Sequence, residues 1–107
     1  MWFKVVRFSK LNVHGMALFP FILLREKHFI TNKVLINHEK IHLKQQLELL
    51  ILPFYLLYLL NYLINLVRYR THFQAYRNIG FEREAYSMEK DLKYLEHRKL
   101  WSWIKFL

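Results

Sequence analysis

Residues His38-Glu39-Lys40-Ile41-His42 place two imidazoles four positions apart with a carboxylate between them. On a helix, positions i and i+4 lie one above the other on the same face. His38 and His42 can therefore address one ion while Glu39 projects beside them. Zinc-assisted hydrolysis needs this set: two neutral nitrogen ligands, and a carboxylate that takes a proton from water and passes it on. Two histidines hold zinc weakly, and a catalytic site has three protein ligands with one position left open. The chain has no Cys, so a third ligand must be His, Asp or Glu.

The longer pattern HExxHxxGxxH is excluded, because Gln45 and Glu48 stand at its Gly and His positions. Further along, Phe81-Glu82-Arg83-Glu84-Ala85-Tyr86 offers two carboxylates. His72, in the basic stretch 68–77, is a candidate third ligand or transition-state donor. Tyr76, Arg77 and Tyr86 are candidate oxyanion donors. Gln45 and Gln46 continue the motif face without an assigned role, and His14, His28 and His97 are read as structural.

These residues need elements to hold them. Residues 19–24 and 28–30, with a charged break at Arg25-Glu26-Lys27, predict two short strands joined by a turn. Asn32 is placed to cap a helix that begins near Lys33, in which Leu35, Ile36, Leu43, Leu47 and Leu50 recur at helical spacing. The HExxH run thus falls inside a predicted helix. Pro53 interrupts the pattern, and a second apolar helix runs from Phe54 to about Tyr69. A third is predicted over 81–98, where Phe81, Ala85, Met88, Leu92 and Leu95 follow a 4-3-4-3 spacing. The fold class expected is α+β, mostly α: a short N-terminal β-hairpin, then a three-helix metallopeptidase-like core in one domain, 1–107.

In these motifs the chain resembles the gluzincin peptidases, where HExxH is followed by a glutamate, often as ExxA or ExxAD on a downstream helix. Glu82-Arg83-Glu84-Ala85 matches ExxA, and Tyr86 stands where the Asp usually lies. The membrane-associated branches look closest in arrangement. The resemblance implies Zn²⁺ held by His38, His42 and Glu82 (Glu84 as runner-up), with Glu39 as catalytic base. It also implies a peptide or membrane-proximal protein substrate held against an edge strand.

Composition adds a membrane. Lys and Arg number 17 against 8 acids, a net charge of +9. The basic residues flank 49–67, which are 19 uncharged and mostly apolar residues. No zinc-knuckle, RNP-type or GxxG signature is present, so nucleic acid is a less fitting partner than an anionic membrane surface or a membrane protein. By length alone 49–67 could span a bilayer, but a single crossing would strand His42 and Glu82 on opposite sides. A helical hairpin reversing near Pro53 brings both back to one level. Leu52, Phe54, Tyr55, Leu56, Trp101 and Trp103 are then the expected membrane-contacting residues, the last two in an aromatic tail, 101–107. No secretory signal is apparent, which suggests the cytoplasmic face of the plasma membrane. The rival expectation is a small accessory or scaffold subunit of a membrane complex. A closed four-ligand site would favour the scaffold, and an open one catalysis.

Overall fold

The computed structural model describes residues 2–107. The fold is α+β and mostly helical. Three strands come first: β1 (Lys4–Arg7), β2 (Gly15–Leu18) and β3 (Phe21–Leu24). β3 is central, parallel to β1 and antiparallel to β2, so β2 is an edge strand. Five α-helices follow: α1 (Lys33–Glu48), α2 (Leu52–Tyr69), α3 (His72–Arg77), α4 (Gly80–Met88) and α5 (Tyr94–His97).

The strand pair differs from the expected one. Residues 28–30 lie in a 3₁₀ turn, Lys27–Thr31, and the hairpin is instead β2–β3 turning at Phe19-Pro20. β2 gives little alternation in the sequence because Met16 and Leu18, on its outward face, are as apolar as the buried Ala17. Ala17, Ile22, Leu24 and Leu43 form the core between sheet and α1.

Asn32 caps α1 as expected, its side chain accepting from the Leu35 amide at 3.0 Å. Most sides of this helix are buried, including Asn37, His38, Glu39, His42, Gln45 and Gln46. Buried polar groups need partners, and α1 finds them in the elements around it. Gln46 donates to the Ala17 carbonyl (2.9 Å) and accepts from the Phe19 amide (2.8 Å), fastening the helix to β2. Asn37 donates to the carbonyls of Glu89 (2.8 Å) and Asp91 (2.9 Å). That contact closes the end of α4, which is why the helix expected over 81–98 stops at Met88 and resumes only as α5.

Between α1 and α2 the chain bends by 112°, an elbow rather than the full reversal of a hairpin. Leu50 and Ile51 take positive φ (59° and 69°), uncommon for non-glycine residues and costly for a β-branched one. Pro53 falls in the first turn of α2, where its missing N–H has no helical partner to lose. Among the described residues no single helix is long and apolar enough to cross a membrane; α1 and α2 qualify only as this bent pair. α2 packs on α3, which the sequence did not suggest, and on α4. A second core unites Leu49, Phe54, Ile79, Phe81 and Trp103. Phe54 and Trp103 are thus interior residues, 3% and 8% exposed, and not membrane-contacting ones. Tyr55 is half-buried against the same core, while Leu52, Leu56 and Trp101 are exposed.

Candidate metal centre

The site forms where α1 crosses α4. Ile41 of α1 and Ala85 of α4 are fully buried together, and the small Ala side chain lets the two helices approach. That contact sets the motif face of α1 against the first turn of α4. His38, His42 and Glu82 meet there, all buried, and together they could hold a metal ion.

Their three inward atoms form a nearly equilateral triangle. His42 Nε2 and Glu82 Oε1 are 3.0 Å apart, His38 Nε2 and Glu82 Oε1 3.2 Å, and the two Nε2 atoms 3.2 Å. Ligands at about 2.0–2.1 Å around a tetrahedral zinc ion stand roughly 3.3 Å from one another. The donor set therefore fits such an ion with shifts of a few tenths of an ångström.

Each imidazole is oriented from behind. His38 Nδ1 pairs with Glu89 Oε1 and His42 Nδ1 with Gln45 Oε1, both at 2.8 Å. An acceptor at Nδ1 keeps the proton there and leaves Nε2 free as a donor atom to a metal, the usual arrangement behind metal-binding histidines. Neither partner had a role in the sequence reading. Glu89 lies seven residues beyond Glu82, two turns along the same face, and that spacing was the available signal. It supplies the carboxylate acceptor behind His38. Tyr86 instead stacks edge-on against His38 (4.5 Å between centroids) and hydrogen-bonds Tyr76 at 3.0 Å.

Burial and neighbouring charge pull the ionisation of this donor set in opposite directions. Burial works against charge on His42, but the Glu82 carboxylate outweighs it and pushes His42 up to about 9. Burial likewise opposes ionisation of Glu82, yet His42 and His38 hold its carboxyl well below the usual range. A bound cation would take over the role of the His42 proton. Glu39 differs: burial dominates and raises its pKa. Among the described residues its carboxylate has no hydrogen-bond partner.

Glu39, His38 and His42 open onto a cavity of about 350 Å³, lined mostly by apolar groups including Met16, Leu18, Phe54 and Tyr55. Tyr58 and Tyr76 complete its wall, and Tyr58 donates to Glu82 Oε2 at 2.7 Å. Burial followed by the Glu82 charge raises both phenols, so both remain protonated donors. Tyr58 was missed in the sequence, where it is one aromatic in a greasy run. His72 and Tyr86 line a second, more polar cleft on the other side of Glu39 and do not reach the first cavity. His72 is exposed and pairs with the Tyr62 hydroxyl at 3.0 Å.

The runner-up ligand is accounted for elsewhere. Glu84 is fully buried and receives hydrogen bonds from Arg98, Tyr94 (2.6 Å) and Gln45 (2.9 Å). Burial opposes its charge, but these donors hold its carboxyl below the ordinary range. It has no free coordination capacity toward the histidines.

The free edge of β2 borders the cavity. His14 O accepts from Arg25, so by antiparallel alternation Gly15 and Ala17 turn their polar groups outward. Gln46 already occupies the Ala17 carbonyl, which leaves Gly15, beside Glu39, as the open rung. No protein-family model, no curated protein and no solved structure matches the chain, so its own geometry must carry any functional reading.

Proposed function

We propose that the protein is a zinc-dependent peptidase of gluzincin type that works at a membrane surface. His38, His42 and Glu82 hold the metal in this reading, and Glu39 is the catalytic base. The observation that carries it is the triangle of Nε2, Nε2 and Oε1 with an unpaired carboxylate beside it, all facing one cavity. Among the described residues the donor group has three members, which suits an open site better than a closed structural one.

Bound zinc would supply Lewis acidity to a scissile carbonyl and acidify a water molecule. The chain's residues do the rest. Gly15 offers a backbone rung to an extended peptide, placing its carbonyl near Glu39. Glu39, whose buried carboxylate is a stronger base than an exposed one, takes the proton of the attacking water. It then delivers that proton to the leaving amine. Tyr76, held protonated in the cavity wall, donates to the oxyanion that develops. Glu89 and Gln45 keep both imidazoles aimed throughout.

Two variants separate the roles. Glu39→Gln retains zinc and loses peptide hydrolysis by about 10²-fold or more, while His42→Ala loses both. A Glu39→Gln protein as active as the wild type would remove the enzyme reading.

A further inference from the structure

Helix α2 is built inside out. At about 100° per residue, Phe54, Tyr58, Asn61, Tyr62 and Asn65 fall on one side of it. Leu52, Leu56, Leu59, Leu63, Ile64 and Val67 fall on the other. The polar side packs inward and its groups are used. Asn61 accepts from the Gly80 amide (2.9 Å), Asn65 donates to the Ala75 carbonyl (3.1 Å), Tyr58 holds Glu82 and Tyr62 meets His72. The aliphatic side is turned away from the protein, with exposures from 39% at Leu57 to 77% at Val67. Helices on water-soluble domains do the reverse, turning the apolar stripe to the core. A contiguous aliphatic face of this length marks a contact surface.

We propose that α2 lies flat along an anionic membrane, with this outward face immersed among acyl chains from Leu52 to Val67. Lipid fits the face better than a protein does. The centres of protein interfaces are rich in Tyr, Trp and Arg and carry paired polar groups, whereas this face is all Leu, Ile and Val. Charge agrees: 49–67 carry none, and exposed Arg68 and Arg70 follow at once. Basic groups at the end of an apolar face suit the headgroup layer.

The even spread of exposed aliphatics along about 23 Å of helix sets this apart from a hairpin dipping in by its tip. It also bears on the substrate of the proposed peptidase, and in that respect rests on that reading. The inner side of the same helix supplies Phe54, Tyr55 and Tyr58 to the cavity wall. The cleft is then one helix thickness from lipid, where a peptide segment leaving the bilayer would meet it.

Flotation of the full chain with vesicles tests the docking without any hydrolysis. Wild-type protein is expected to float with vesicles of phosphatidylcholine and phosphatidylserine. A double variant, Leu56→Glu with Leu63→Glu, is expected to keep its circular dichroism and lose binding at least ~10-fold. Single labels introduced at Leu52, Leu59 and Val67 should report similar, shallow immersion. The proposal is overturned if the wild type stays unbound, if the double variant floats equally, or if only the label at Leu52 is immersed. It is also overturned if the wild type is a dimer in solution that the double variant splits, since that assigns the face to a second copy. Vesicle binding by a protein that hydrolyses no peptide would sink the catalytic reading and leave the docking standing.

Discussion

Helix α4 carries two buried carboxylates two residues apart, and they face opposite kinds of partner. Glu84 meets Arg98, which also grips Glu48 at 2.7 and 3.0 Å, with Tyr94 and Gln45 filling the remaining acceptor positions. Both carboxylates there share one guanidinium, a partner that stays protonated and cannot be exchanged. Glu82 meets two imidazoles and a phenol. Its imidazole partners can exchange a proton for a metal ion. The Glu84 cluster is closed and ties the C-terminal segment to α1; the Glu82 cluster is open and faces a cavity. Gln45 joins them, accepting from or pairing with His42 through Oε1 and donating to Glu84 through Nε2. Burial alone does not mark a site. What its partners can release does.

This contrast can be broken from either end. The largest effect is expected from Arg98→Met, which strands Glu84 and Glu48 in the interior. Loss of one partner of a buried ion pair typically costs about 3–5 kcal/mol, readable as a lowered midpoint in chemical denaturation. The folded fraction should still bind zinc. Next comes Glu89→Gln, which weakens the acceptor behind His38. Removing such a partner lowers metal affinity about 10–100-fold, and a competition titration with a chelator should show this with stability little changed. A more modest loss of stability than that of Arg98→Met is expected from Glu82→Gln in metal-free protein. His42 can shed its proton when the carboxylate goes, so the cost should be about 1–2 kcal/mol, well under that of Arg98→Met, although zinc is lost. Equal destabilisation by the Arg98 and Glu82 variants would erase the distinction between the clusters.

The sequence disclosed the parts of this arrangement that repeat at helical spacing. His38, Glu39 and His42 were legible because their chemistry depends on adjacent turns of one helix, and Asn32 because caps are local. Glu82 was legible only through its likeness to a known motif, with Glu84 equally placed until the fold put Arg98 against it. Arg98 lies fourteen residues beyond Glu84 and fifty beyond Glu48, a separation at which spacing says nothing. The same holds for Gln45 and Gln46, whose partners come from α4 and β2. The apolar run 49–67 misled in a different way. Its length and composition suggested a span, and the need for His42 and Glu82 to meet suggested a hairpin, yet the bend is an elbow of 112°, Tyr58, Asn61 and Asn65 face inward, and Phe54 is core. Strand β2 stayed hidden because both of its faces are apolar, which removes the alternation by which strands are recognised.

The most direct test is metal content. Purified wild-type protein and its variants would be equilibrated with zinc, freed of excess by gel filtration, and analysed for bound metal. One zinc ion per chain is expected in the wild type, in Glu39→Gln and in folded Arg98→Met, and none in His42→Ala or Glu82→Gln. A wild-type protein without stoichiometric zinc, or one whose zinc survives both His42→Ala and Glu82→Gln, would contradict the assignment of the site.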